Sequence, residues 1–409
     1  MKLIKFTSKK IEKIYDRGFS RQKRIEEKVR KIIEDVRLFG DEAVIKYTRK
    51  FDGVKLQPRQ LKVSEIEISG AYQNLSPNFV STLKVVIENI NRFYRRTIKK
   101  SWKMRGADGV VLGENLTPLE KVGIYIPAGT APLVSTVYMT ALPAKIAGVK
   151  KIILISPPDE SGRINPHILA VANLLRVDEI YRVGGAQGIA ALAFGTKIIP
   201  RVDKIVGPGN VYVSEAKRQL FGVVDIDMIA GPTELVIIAN RNSNPKFIIA
   251  DLKAQAEHAQ GLAVLVTNSK SLAKEVKSQL ESTSGWIILT KNLEQAVEIA
   301  NKIAPEHLEI LVKNPQKLLR GIKNAGAIFL GPYSPTAVGD YVAGPSHVLP
   351  TYGTARFFSG LSVCDFIKSS YIISYSKKAL EKVKEPIEKI AGIEGLQKHL
   401  DSVKARFEA

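Results

Sequence analysis

Five histidines and their carboxylate neighbours are the side chains of this 409-residue protein best suited to chemistry. Gln255 and His258 stand three apart in a segment of helical periodicity, so both leave the same helix face. Glu306 and His307 are adjacent in Ala304-Pro305-Glu306-His307-Leu308 and pair two bases of different strength, which suits proton transfer. Asp340 and His347 share a segment punctuated by Gly339, Gly344 and Pro345. His399 follows Glu394 near the C-terminus, and His167 follows Pro166 at a helix start, where a surface role is expected. The single cysteine, Cys364, excludes an intrachain disulfide and a zinc site built on cysteines, and it reads as a buried structural residue. Four histidines, two of them near carboxylates, point instead to an oxygen–nitrogen metal site, with zinc the natural candidate. A polar helix face or a surface loop would explain each of these pairs as well, and spacing alone leaves open which residues converge.

Two glycine-rich turns add a second kind of site. Gly184-Gly185-Ala186-Gln187-Gly188 and Gly207-Pro208-Gly209-Asn210 each follow a strand-like run and open a helix. Backbone amides at such helix starts suit phosphate groups, although tight strand-to-helix turns of no function look the same. Neither a GxGxxG nor a Walker sequence occurs.

These residues need a frame to position them. Residues 20–39 read as an amphipathic helix, and residues 78–100 as a longer, basic one. From Lys121 short β-branched runs alternate with helical segments, and a second such series starts at Glu234; this alternation implies parallel βαβ units. From about Phe358 the chain becomes helical, at 377–390 and 394–406, in a tail too short for a large core of its own.

Charge is the other conspicuous property, with 61 Lys and Arg against 40 Asp and Glu, a net of +21. The first 105 residues hold 27 of the basic and 12 of the acidic residues, whereas residues 251–350 are nearly neutral. The densest run, Arg92 to Arg105, has Phe93, Tyr94 and Trp102 among its cations. Such interleaving suits a single-strand nucleic-acid binder, but a solvated helix face with inward aromatics is the commoner origin. The excess therefore reads as an N-terminal surface property, away from the motifs. The longest apolar stretches fall far short of a membrane span and no signal peptide is visible, so a cytoplasmic protein is expected.

Taken together the segments resemble the motifs of the histidinol dehydrogenase family. They are Tyr125-Ile-Pro-Ala-Gly-Thr-Ala-Pro-Leu133, Gly184-Gly-Ala-Gln187, Gly207-Pro-Gly-Asn210, Ala230-Gly-Pro-Thr-Glu234, Gln255-Ala-Glu-His258, Pro305-Glu-His307, Gly339-Asp-Tyr341, His347-Val-Leu-Pro-Thr351 and Glu394-Gly-Leu-Gln-Lys-His399. The resemblance implies an NAD-dependent, zinc-dependent homodimer that oxidises L-histidinol to L-histidine through L-histidinaldehyde, the last steps of histidine biosynthesis, with two NAD reduced. It places one zinc per subunit on Gln255, His258 and Asp340, completed by His399 of the partner subunit. Acid–base roles fall on Glu306 and His307, and NAD contacts on Tyr125, Gln187 and Asn210. Substrate contacts fall on Thr233, Gln255, His258, His307, Asp340, Glu394 and His399, the last two across the dimer interface. Neither nucleic acid nor membrane is expected as a partner. Two departures are visible: Thr233 stands where the family commonly has Ser, and Ser346 precedes His347 where relatives often have Asn. The expected fold is α/β, two Rossmann-like βαβ modules with flanking helical N-terminal and C-terminal dimerisation segments. The expected division is an N-terminal helical segment 1–24, a first, discontinuous module 25–120 and 234–357 with the zinc and acid–base residues, a second module 121–233 on the NAD side, and a helical tail 358–409 reaching the partner subunit.

Overall fold

A computed structural model describes residues 1–16, 23–128, 131–258 and 260–408. It divides into two compact units, Met1–Thr97 with Leu119–Phe366, and Ile98–Pro118 with the chain from Ile367 onward. The larger unit is mixed α/β and holds two sheets, both parallel. One has six strands in the order Lys2–Lys5, Trp286–Leu289, Leu262–Thr267, Glu234–Ala239, His307–Leu311, Ala327–Leu330. The other has five, in the order Glu179–Arg182, Lys151–Ser156, Lys121–Tyr125, Lys204–Val206, Asp225–Ile226. Helices cover both faces of a parallel sheet, so its central strands read as apolar runs, as in Glu234–Ala239 and Leu262–Thr267. In each sheet the strand order reverses beside the strand that opens its series, at Glu234–Ala239 and at Lys121–Tyr125. Crevices form at such reversals.

The smaller unit is an antiparallel sheet in the order Ile367–Ser374, Val111–Pro118, Trp102–Arg105, followed by the helices Lys377–Ile393 and Gln397–Lys404. Asp108 joins sheet to helix by ion pairs to Lys378, at 2.7 Å, and to Lys382.

Several elements differ from the sequence expectation. Lys2–Lys5 form an edge strand and not a helix, pairing in parallel with Trp286–Leu289 while Ile4 turns into the core. The first long helix runs Lys23–Phe39, residues 17–22 of the expected span lying outside the described residues. It and the helix Asp41–Asp52 pack on helices of the five-stranded sheet, sharing a core of Val29, Ile32, Val36, Val44, Ala190 and Val213, and do not join the six-stranded sheet with which the sequence grouped them. The basic helix is Pro77–Tyr94 and stops short of Lys100. The basic–aromatic run is thus divided between a helix end and the strand Trp102–Arg105, with Tyr94 buried and donating its hydroxyl to the Leu361 carbonyl at 2.8 Å. The tail begins with a strand before its helices, and Cys364 is exposed, since it lies on a short turn whose neighbours Val363 and Phe366 take the interior positions.

One buried ion pair shapes the second glycine turn. Lys217, on the helix Val211–Leu220, pairs with Asp227 and donates to the Gly207 carbonyl at 3.0 Å, while Asp227 accepts from Gly207 N–H at 2.7 Å. Gly207 itself has φ +113°, and a Cβ there would lie 2.3 Å from the Tyr125 carbonyl oxygen. Removing one partner of such a pair strands a buried charge. Lys217→Met is therefore expected to cost about 3–5 kcal/mol in urea unfolding; a loss under about 1 kcal/mol would show that the carboxylate is solvated in the variant.

Candidate active site

Glu306 and His307 sit at the start of the strand His307–Leu311 and are both buried. Both are clipped to one residue of the neighbouring strand. Glu234 donates its N–H to Glu306 Oε2 at 2.9 Å, and its carbonyl lies 3.2 Å from His307 Nδ1. The Thr233 hydroxyl also bonds Glu306. A carbonyl can only accept, so Nδ1 carries a proton and Nε2 is the nitrogen left to react. Nε2 stands 3.5 Å from Asp340 Oδ1 and has no hydrogen-bond partner among the described residues. Burial disfavours charge on the imidazole, but Glu306 and then Asp340 outweigh it and hold the His307 pKa up at about 9. Burial also raises the Glu306 carboxyl.

Asp340 lies on the short helix Thr336–Tyr341, whose last carbonyls need partners from elsewhere. His347 Nδ1 lies 3.0 Å from the Asp340 carbonyl, the Tyr138 hydroxyl bonds the Tyr341 carbonyl at 3.1 Å, and Asn89 bonds the Val342 carbonyl at 3.0 Å. Burial lowers the His347 pKa, so the ring is neutral, donates from Nδ1 and accepts at Nε2 from Thr136 Oγ1, 3.2 Å away. His347 thus fixes the backbone under Asp340. Burial would raise the Asp340 carboxyl, yet the His307 imidazole beside it and, more weakly, His258 hold it below its usual range. His307, Asp340 and His347 line one cavity of about 630 Å³, walled by Phe93, Phe329 and Leu349.

Gln255 and His258 follow from the helix Pro245–Ala256, which returns from the end of the strand Glu234–Ala239 to the edge where that strand began. Gln255 is buried, its amide nitrogen without a partner, whereas His258 is exposed. Among the described residues no three His, Cys, Asp or Glu side chains gather closely enough to hold a cation by themselves. A four-residue step on a helix spans 6 Å and a two-residue step on a strand nearly 7 Å, so the two can run in register. Gln255 and Asp251 are four apart on the helix, and His307 and Glu309 two apart on the strand. Asp251 meets Glu309, whose Oε1 accepts from the N–H of Thr336 at 2.9 Å, the first residue of the helix that carries Asp340. Burial raises both carboxyls, so the pair holds a proton at neutral pH. Sequence reasoning missed this clasp, though a lone Glu inside the apolar run His307–Leu311 was its signal.

Tyr125, Gln187 and Asn210 line a second cavity, of about 740 Å³, at the carboxyl ends of the five-stranded sheet. The Tyr125 hydroxyl accepts from Gly185 N–H at 3.4 Å, and burial pushes its pKa up to about 12. Asn210 caps the next helix, its Oδ1 accepting from Tyr212 and Val213. Lys28, Lys31, Lys46 and Lys50 line the same cavity. The N-terminal charge excess is therefore not remote from every motif: the helices Lys23–Phe39 and Asp41–Asp52 fold onto this sheet and bring their lysines to it. Glu394 and His399 belong to the smaller unit and are exposed, Glu394 capping the helix Lys377–Ile393 and His399 on Gln397–Lys404.

Two parallel α/β layers, one with a buried carboxylate–imidazole pair at a cavity and the other with a second cavity at its strand ends, define a protein of the α/β class. The chain belongs to the histidinol dehydrogenase family, whose model matches residues 16–407. It is 48% identical over 396 residues to histidinol dehydrogenase of Clostridium acetobutylicum, covering 93% of this chain and 91% of the relative. It is 50% identical over 401 residues to that of Listeria monocytogenes, covering 94% and 93%. The crystal structure of histidinol dehydrogenase from Elizabethkingia anophelis superposes with a TM-score of 0.93 at 36% identity, covering 100% of this chain and 98% of that one.

The Asp251–Glu309 clasp makes a pH-dependent prediction. A buried carboxyl with a folded pKa above its unfolded value of about 4.3 weakens folding progressively as pH rises from that value. Glu309→Gln keeps the bond to Thr336 and removes the ionisation. Its stability relative to the native chain is expected to increase from pH 5 to pH 8 in urea unfolding; a pH-independent difference would mean the pair does not share a proton.

Proposed function

We propose that this chain catalyses the four-electron oxidation of L-histidinol to L-histidine through L-histidinaldehyde, passing two hydrides to two NAD. The observation that carries this reading is the Glu306–His307 pair, clipped to Glu234 with His307 Nε2 left toward Asp340 and a cavity. Family membership and about half identity over nearly the whole chain support the substrate.

A neutral His307 takes the alcohol proton at Nε2 as hydride leaves the carbinol carbon for the nicotinamide. Its Nδ1–H stays bonded to the Glu234 carbonyl, which keeps the ring aimed. The aldehyde then adds water. Glu306, whose carboxyl burial brings closer to neutral, takes a proton from that water, and His307 returns the alcohol proton to the carbonyl oxygen, which completes the hydrate and leaves the ring neutral again. The hydrate loses its second hydride as His307 again takes the hydroxyl proton. The Thr233 hydroxyl keeps Glu306 in place.

Gln255, His258 and Asp340 suit the zinc that the family implies: a buried amide whose oxygen can coordinate, an imidazole and a carboxylate whose field His258 reaches. They would hold the ion together with His399 of the partner subunit. Bound there, it supplies a Lewis acid that orients the substrate's imidazole and amine nitrogens. Glu394 of the partner subunit would accept from the substrate's amine N–H. The homodimer this requires is supported by the smaller unit, which exposes Tyr371, Ile373 and Ile393 at 84%, 71% and 88%. In this reading the larger unit is two Rossmann-like modules, and the smaller one the dimerisation segment. The second cavity takes NAD through Tyr125, Gln187 and Asn210.

Two NADH per L-histidinol are expected, with activity lost to a strong chelator and restored by zinc; a one-to-one yield with histidinal accumulating would overturn the four-electron claim. Because the base must be neutral, kcat should climb with pH towards about 9. A rate flat between pH 7 and 9 would remove His307 from that role. His399→Asn and His307→Ala should each be inactive alone. Mixed dimers should recover part of the activity, and none if His399 serves its own subunit.

A further inference from the structure

The NAD cavity holds more unmatched polar atoms than its assigned residues account for. Among the described residues both polar atoms of the Gln187 side chain are buried without a hydrogen-bond partner, and Gln187 is only 1% exposed. Asp52 Oδ2 is buried without one as well. Asp52 is the last residue of the helix Asp41–Asp52 and lines this cavity together with Gln187 and Tyr125. Native interiors seldom leave such atoms unpaired, so three in one cavity mark the outline of a polar ligand.

The chemistry of that ligand follows from the residues. A carboxylate only accepts hydrogen bonds, so whatever meets Asp52 must donate. Burial alone pushes the Asp52 carboxyl up to about 6, although four lysines line the same cavity. Lys46 is instead paired with Asp35 at 3.2 Å. Lys28, Lys31 and Lys50 remain for the anionic end of a ligand and Asp52 for its neutral, donor-rich end. In a dinucleotide those ends are the pyrophosphate and a ribose, whose vicinal hydroxyls offer two donors to one carboxylate.

We propose that Asp52 accepts the ribose hydroxyls of the dinucleotide and so selects against a cofactor phosphorylated on that ribose, with Lys28, Lys31 and Lys50 facing the pyrophosphate. The proposal rests on the reading of this cavity as the NAD site. The same carboxylate that accepts from a 2′-hydroxyl repels a 2′-phosphate and offers it no donor, which is how a single acidic side chain sorts NAD from NADP.

The test uses the full-length, zinc-loaded enzyme with Asp52→Asn and, as a control on the site, Gln187→Ala. Asp52→Asn should raise the KM for NAD by about tenfold, with a smaller effect on kcat, and shift the NADP to NAD ratio of kcat/KM by about tenfold towards NADP. Asp52→Glu, which keeps the acceptor, should retain the preference for NAD. If Gln187→Ala raises the KM for NAD while Asp52→Asn changes neither KM nor the ratio, the proposal for Asp52 fails and the cavity assignment stands. If neither variant affects NAD, the cavity assignment fails with it. A raised KM with an unchanged ratio would place Asp52 on another donor, such as the adenine amino group, and would also overturn the proposal. Should Asp52→Asn fold poorly, Lys31→Gln with Lys50→Gln provides a second measurement: the KM for NAD should rise several-fold and lose much of its salt dependence, and an unchanged KM would refute the pyrophosphate assignment.

Discussion

A buried acid–base pair must be matched by fixed dipoles, and here one backbone residue supplies both. Glu234 gives its N–H to Glu306 and its carbonyl to His307. Because Glu234 begins the central strand of a parallel sheet, the dipoles that match the pair are as rigid as the sheet. The same contact fixes the imidazole tautomer, so the nitrogen that faces Asp340 and the cavity is the one able to act as base. The rest of the six-stranded layer follows from this edge. The helix Pro245–Ala256 returns to it with Gln255, and the Asp251–Glu309 clasp connects that helix, the strand His307–Leu311 and the helix of Asp340.

The two sheets use opposite edges. In the five-stranded layer Tyr125, Gln187 and Asn210 stand at the carboxyl ends of strands, beside the reversal in strand order, where crevices of open α/β sheets are expected. In the six-stranded layer Thr233, Glu306 and His307 stand at the amino ends. One stretch of chain serves both cavities: Tyr125 and Ala128 line the first, and Thr136, a little further on, bonds His347 in the second. The helices Lys23–Phe39 and Asp41–Asp52 line the first cavity with lysines and one carboxyl, so a charge excess that reads in the sequence as an N-terminal surface property away from the motifs comes to one of them once those helices pack.

Much of the frame was legible because periodicity is local. The alternation of apolar strands and amphipathic helices from Lys121 onward announced the parallel sheets, and the paired types Glu306–His307 and Gln255–His258 stood out as candidates for chemistry. The N-terminal strand and the strand Ile367–Ser374 were not legible as such. Each is an edge strand whose state depends on a partner far along the chain, Trp286–Leu289 in one case and Val111–Pro118 in the other. Burial of Cys364 was misjudged for the same reason, since exposure on a short turn is decided by which neighbours face inward.

By itself the sequence determined which residues can do acid–base and ligand chemistry, and that the chain would fold as parallel α/β layers, because side-chain type and short-range spacing carry that information directly. Only the tertiary structure decided which of them meet. It put Glu234's backbone against Glu306 and His307, Glu309 beneath Thr336, Asp52 and the lysines around Gln187, and neutral His347 under Asp340. Those are contacts between residues tens to hundreds apart, fixed by strand order and helix packing, and no local pattern encodes them.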